Sequence, residues 1–286
     1  MGVYDQIKGA LVFCVILAPI YFGLNFAVFH WLLGRPFRKI SVPKRIIDLL
    51  KQGLIGFLVG VLLVLLLVLP LVLIGAYAGG FFFAADSSPK DASSLVYSVG
   101  EFALLMGILS LSEELLFRGA LVLLPTFLLG LLIRVVIGKG ALKETGILFA
   151  LFANSILLSS IIFSIAHSAN PKVSSVALIN IFLVGVFLGT IFVIRASLLL
   201  VWFIHFSWNF TLGLLNLPIS GYSFATGFHI ASLKAVGPTL LTGGGFGPEA
   251  SLATTFVFFI AIVGVLLIVH KRIKGSRTFR TRRNRL

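Results

Sequence analysis

Long apolar runs separated by short polar breaks set the pattern of this chain. They lie at roughly 10–33, 53–78, 95–133, 146–167, 172–194, 197–217 and from Gly247-Pro248-Glu249 to His270. Most have the length of one membrane-crossing helix, about 20 residues. The run 95–133 is the exception: as continuous helix it extends nearly twice the ~30 Å of hydrocarbon. It must tilt, break at Gly119 or Pro125, or continue along the interface. Pro70 predicts a kink in the second run. Asn170-Pro171 reads as an N-cap followed by proline at the first helical position. Glu249 falls in the first turn of the last run, where the helix dipole favours an acid. Gly185 and Gly189 form a small-xxx-small face suited to close helix packing. The pattern predicts an all-α, polytopic transmembrane helix bundle of seven or eight spans. Seven spans with a cytoplasmic C-terminus leave the N-terminus outside, whereas splitting 95–133 gives eight. The polar stretch 84–94 is placed outside.

Composition narrows the class. With 59% hydrophobic residues and a mean hydropathy of +1.12 over 286 residues, the chain is not a soluble domain. The net charge of +14 invites a nucleic-acid reading, but its distribution argues against one. Fourteen of the 23 Lys and Arg residues lie in two places, six within 34–52 and eight within 271–286. Basic clusters that abut apolar spans are the positive-inside signature, with attraction to anionic lipid headgroups as a second contribution. The partners expected are therefore membrane lipids at the basic loop and tail, and no nucleic acid. Cys14, the single cysteine, cannot form an intrachain disulfide and reads as a small core residue. The first run follows Lys8 without a small-residue cleavage site, which predicts an uncleaved first span. The opening Met-Gly-Val-Tyr-Asp-Gln lacks the Ser or Thr of a myristoylation signal.

Against this apolar background the stretch Leu111-Ser112-Glu113-Glu114-Leu115-Leu116-Phe117-Arg118-Gly119 stands out. A charge at bilayer depth costs roughly 2.5–3.5 kcal/mol on insertion scales, so three within six residues need a reason. Glu114 and Arg118 are i and i+4 on a helix, acid first, the favourable order for a structural ion pair. Glu113 points about 100° away and is left for chemistry. Other polar groups at membrane depth are Glu101, Asn154, His167, Asn180, His205 and Asn209. Of these, His205 and Asn209 share a helix face, and Phe163 sets a ring one turn below His167. Asn154 and Asn180 read as structural, and Glu101 as structural or interfacial. A carboxylate and two histidines in a wet cavity can activate a water, and the second histidine with an amide can supply two donors to an oxyanion. These are the parts for hydrolysis of a peptide bond without a covalent intermediate. No cofactor and no metal is implied, because there is no HExxH, no cysteine pair, and the His and Glu spacings are long.

Glu113, Glu114 and Arg118 in Glu-Glu-x-x-x-Arg, Phe163 and His167 in Phe-x-x-x-His, and His205 and Asn209 in His-x-x-x-Asn occur in that order. Together they resemble the CPBP or Abi family, which includes CAAX prenyl endopeptidases and bacteriocin-processing or immunity proteins. Leu241-Thr242-Gly243-Gly244-Gly245-Phe246-Gly247-Pro248-Glu249 is similar to a stretch of its bacterial members. The resemblance implies a multi-pass cell-membrane protein, bacterial, with a catalytic core at 95–217 between a two-span region, 1–94, and the loop and last span, 218–270. The tail 271–286 would be cytoplasmic. It implies an intramembrane glutamic endopeptidase in which Glu113 activates water with His167, His205 and Asn209 hold the oxyanion, and Glu114 with Arg118 is structural. The substrate expected is a membrane-associated peptide or protein segment, in a cavity reached from the cytoplasm, although the loop count sets His167 near the other face. Two alternatives stand beside it: a non-enzymatic peptide-binding, immunity or scaffold protein, and a zinc-dependent membrane protease held by Glu and His.

Overall fold

The computed structural model of the chain describes residues 3–33, 46–80, 84–85, 92–138, 140–143, 145–224 and 228–283. Among them, six helical stretches are long and apolar enough to cross a membrane: Lys8–Leu32, Ile46–Leu73, Val99–Val136, Gly146–Ala166, Ser175–Arg195 and Leu252–Lys271. A seventh apolar helix, Leu198–Leu214, is shorter. The chain is thus an all-α membrane helix bundle. Parts of the basic loop 34–52, the polar loop 84–94 and the end of the tail lie outside the described residues.

The helices are α1 (Val3–Asn25), which widens into a π-helical turn at Phe26–Leu32, α2 (Ile46–Leu73) and α3 (Ala92–Glu114). A second π-helical turn, Leu115–Ala120, joins α3 to α4 (Leu121–Val136). Then follow α5 (Thr145–Ala166), α6 (Ser175–Arg195), α7 (Leu198–Leu214), the single turn α8 (Thr239–Thr242) and α9 (Leu252–Arg283). The run 95–133 is therefore one long helical path. It is distorted at the π turn that holds Gly119, while Pro125 sits inside α4 without ending it.

Helix α7, 17 residues long, is the inner helix of the bundle. Ser197 caps it, accepting from the Leu200 amide at 3.1 Å. Val201, Ile204, His205, Ser207, Trp208 and Leu212 are all buried along it. Helix α2 lies against α7 backbone to backbone. A Cβ on Gly56 would fall 2.6 Å from the Leu200 carbonyl oxygen, and one on Gly60 would fall 2.4 Å from that of Ile204. Gly185 and Gly189 of α6 likewise receive Ser160 and Ile156 of α5, as their spacing predicts. Where small residues remove the side-chain layer, polar side chains on the facing helix are held in fixed places.

Between α7 and α9 the chain forms a short cap of strands and turns. Strand β1 (Tyr77–Gly80) pairs antiparallel with β4 (Ser232–Ala235), and β2 (Ala84–Ala85) with β3 (Phe228–His229). His229 is buried in β3 with its Nδ1 3.3 Å from the Gly213 carbonyl.

Two helix starts differ from expectation. Helix α6 is capped by Ser174, whose hydroxyl accepts from the Ala177 amide at 3.2 Å, and not by Asn170. The chain turns at Pro171 and Lys172, which has a φ of +58°, before helix can begin. Asn170 instead donates to the Ser220 carbonyl at 3.0 Å. Helix α9 is preceded by a separate 3₁₀ turn, Pro248–Ala250, and capped by Ser251, which accepts from the Thr254 amide at 3.1 Å. Glu249 therefore does not serve the dipole of α9, and its carboxylate turns inward.

Candidate active site

The π turn decides where the charges of the first motif go. Glu113 and Glu114 end α3, and Arg118 lies within the wider turn that follows. Such turns gather at functional sites because they reaim side chains that an α-helix would splay. The Glu114–Arg118 pair forms as the spacing predicts, Nη1 to Oε1 at 2.8 Å, with both side chains buried. It is not the self-contained pair expected. The same Glu114 oxygen lies 2.8 Å from His205 Nδ1, so the imidazole donates Nδ1–H to it. The pair on one helix thus orients the histidine of another.

The other ring nitrogen, His205 Nε2, then faces Glu113, whose Oε2 is 3.7 Å away. That is close enough for electrostatic attraction and too long for a direct hydrogen bond. Glu113 is the half-exposed member of the group, its side chain 35% accessible, against 0% for Glu114. Glu113 Oε2, Glu114 Oε2 and Arg118 Nη2 are buried atoms without a hydrogen bond to any described residue.

Phe163 is the aromatic centre around which Arg118, His167 and His205 are arranged. The Arg118 guanidinium lies 4.7 Å from its ring centroid, while the His167 and His205 rings approach edge-on at 4.6 and 6.3 Å. His167 closes the last turn of α5, with Nδ1 2.8 Å from the Phe163 carbonyl. Nδ1–H donates there, which leaves the Nε2 lone pair available. Asn209, one turn beyond His205 on α7, donates only a long bond, 3.5 Å, to the Ser110 hydroxyl.

A cavity of about 720 Å³ is lined by Glu113, His167, His205 and Asn209 together, with walls from Gly9, Phe13 and Phe224. The volume is in the range of small-ligand sites, about 300–1,000 Å³. The structure therefore brings all four residues singled out for chemistry to one cavity. Helix α1 contributes a wall that the sequence had not connected with the motifs. Beside the two histidines lies a smaller chamber of about 30 Å³, bordered also by Trp208, Ser220 and Glu249. A chamber of that size has room for about two waters.

The chamber identifies the residue that sequence reading placed wrongly. Glu249 accepts from the Trp208 indole at 3.0 Å, from the Ser220 hydroxyl at 3.0 Å and from the Ser220 amide. Through Ser220 it reaches Asn170, whose backbone N–H donates at 3.1 Å to the His167 carbonyl. Asn180 donates to the carbonyls of Glu249 and Ser251, both at 2.8 Å, and so has the structural place expected of it. Asn154 donates to Ala150 on its own helix. Among the described residues no group of three or more His, Cys, Asp and Glu side chains has metal-binding geometry.

Residues 95–211 match the model of the Rce1-like family, type II CAAX prenyl endopeptidases. No curated protein and no solved structure gives a significant match. The matched segment runs from α3 into α7 and contains all three motifs, Glu113 to Arg118, Phe163 to His167, and His205 to Asn209. The motif-bearing segment of this multi-pass membrane protein is thus similar to the Rce1-like CAAX endopeptidases, in agreement with the resemblance its motifs carry.

Proposed function

We propose that the chain is an intramembrane endopeptidase that hydrolyses a peptide bond with a water activated by Glu113 and His167. The observation that carries this reading is the approach of Glu113 to His205, 3.7 Å, on the wall of a cavity that also holds His167 and Asn209. A water between Glu113 and the His167 Nε2 gives its proton to the carboxylate as its oxygen attacks the scissile carbonyl. The tetrahedral oxyanion is met by His205 Nε2–H and the Asn209 amide. Collapse breaks the C–N bond, and the proton held by Glu113 passes to the leaving nitrogen. One water is consumed, and a carboxylic acid and an amine result.

Glu114 and Arg118 act at one remove. With Nδ1–H tied to Glu114, His205 can present an Nε2–H only as an imidazolium. In that form two carboxylates face two cations and the cluster is neutral. A buried charge without a partner is the costly alternative. Preorganised donors of this kind, fixed before charge develops, typically contribute 10²–10³-fold in rate each.

The test is incubation of purified wild type and Glu113→Gln with candidate membrane peptides, followed by mass spectrometry. Wild type should release fragments and the variant none, with the same helicity and elution volume. Retention of biological activity by Glu113→Gln would instead favour a peptide-binding or immunity role. Inhibition by chelators, with one equivalent of metal recovered, would favour a zinc protease.

A further inference from the structure

The bundle has two chemically different ends, and the cavity belongs to only one of them. The termini of α1 after Leu32, α2 before Ile46, α4 after Val136, α6 at Arg195, α7 at Ser197 and α9 after Lys271 gather at one end. Contacts along the helices set this: the Arg134 guanidinium lies over Trp31 at 4.8 Å, and Ser197 hydrogen-bonds to Gln52. Helix α3 runs antiparallel to α7, with Phe102 against Phe210 and Gly107 against Trp202, and α9 runs parallel to α6, with Thr255 at Asn180 and Phe258 at Phe187. By sequence this end and the segments extending from it carry eighteen of the 23 Lys and Arg residues: six in 34–52, Arg134, Lys139, Lys143, Arg195 and eight after 270. The opposite end and its segments carry Lys8, Lys90, Lys172 and Lys234. Arg118, between the ends, completes the count.

The cavity is built from the sparsely charged end. Its lining comes from the start of α1 (Gly9, Ala10), the turn after α5 (His167, Asn170) and the segment after α7 (Ile219, Tyr222). Basic segments flanking spans are retained in the cytoplasm, and eighteen against four is a strong bias.

We propose that the cavity opens on the extracytoplasmic face, so that its substrates are peptide segments already exported: translocated tails or the outer ends of membrane helices. The word substrate rests on the protease reading; the sidedness does not. A substrate that never leaves the cytoplasm would meet only the basic end, away from Glu113 and His167.

The experiment uses the full chain with Cys14→Ala as background, carrying one of three single changes: Ser223→Cys beside the cavity, Ser112→Cys within it, or Ile137→Cys at the basic end. Intact cells are treated with a membrane-impermeant thiol reagent before and after permeabilisation. Ser223→Cys and Ser112→Cys should label in intact cells, and Ile137→Cys only after permeabilisation, with at least a tenfold contrast. The reverse pattern, or equal labelling from both sides, overturns the proposal. A second arm adds a cleavable peptide outside sealed right-side-out and inverted vesicles. Cleavage confined to inverted vesicles also overturns it. Correct labelling with no cleavage by wild type in either preparation removes the protease reading and leaves the orientation standing.

Discussion

Two buried carboxylates near His205, Glu114 and Glu249, are bonded in opposite ways. Glu249 is satisfied by neutral donors: an indole, a hydroxyl and a backbone amide share its two oxygens. Glu114 is held by cations through a single oxygen, and its second oxygen, like Glu113 Oε2 and Arg118 Nη2, has no hydrogen bond to a described residue. A network whose valences are filled by neutral groups resists rearrangement, and such networks rigidify a core. One made of charges with bonding capacity to spare can accept a water or a substrate atom at little further cost. The comparison teaches where to look for chemistry in a lipid-embedded bundle: at the polar cluster that is incompletely bonded rather than the one that is merely buried.

The comparison can be broken most decisively at Glu113. Glu113→Gln should abolish peptide cleavage, a loss of at least 10²–10⁴-fold by the usual contribution of a general base. Its thermal midpoint in detergent should stay within a few degrees of wild type, because the side chain borders the cavity. Next come Glu114→Ala and Arg118→Ala, each of which leaves a partner charge uncompensated. Each should cost about 3–5 kcal/mol and reduce the yield of folded protein. The double change Glu114→Leu with Arg118→Leu should recover most of that stability without activity, since His205 loses its orienting acceptor. Were Glu114→Ala as abundant as wild type and Glu113→Ala not, the two acids would have exchanged roles.

Smaller effects sharpen the contrast. Gly60→Ala pushes a methyl toward the Ile204 carbonyl and the Ser207 hydroxyl. Overpacking of this kind typically costs 1–3 kcal/mol. Because it displaces α7 directly beside His205, kcat should fall more than thermal stability alone accounts for. Glu249→Gln sets an amide NH₂ against the Ser220 donors, and about 1–3 kcal/mol should be lost, read as a lowered midpoint. Asn154→Ala, on an exposed helix face, should change stability by no more than about 0.5 kcal/mol.

Much of the helical frame was legible in the sequence, since a span in lipid must satisfy its own backbone and shows as an uninterrupted apolar run. The site motifs were legible because charge in such a run has few innocent explanations. What escaped depended on contacts across the bundle. That Glu114 reaches His205 is a relation between helices 91 residues apart, invisible to i, i+4 reasoning. Glu249 was assigned to the dipole of the nearest helix, but the 3₁₀ turn before α9 sends its carboxylate to Trp208 instead. Ser174 outcompeted Asn170 as a cap because Lys172 takes a left-handed conformation between them. One further signal was present and passed over: Gly56 and Gly60 have the same four-residue spacing as Gly185 and Gly189. It is this pair that admits α7 to the centre of the protein.

The π turn at Leu115–Ala120 has a consequence for how this segment tolerates change in length. A widened turn holds one residue more than the α-helix it interrupts. Deleting one residue there would restore regular winding with all that follows kept in its present orientation, whereas the same deletion in regular helix would swing it by about 100°. Val122, Leu123, Thr126 and Gly130 would keep their buried face in α4, and Gly130 its seat against Leu32. The surplus residue thus redirects only the side chains of the turn itself, Arg118 among them, and leaves the packing faces on either side of it in register.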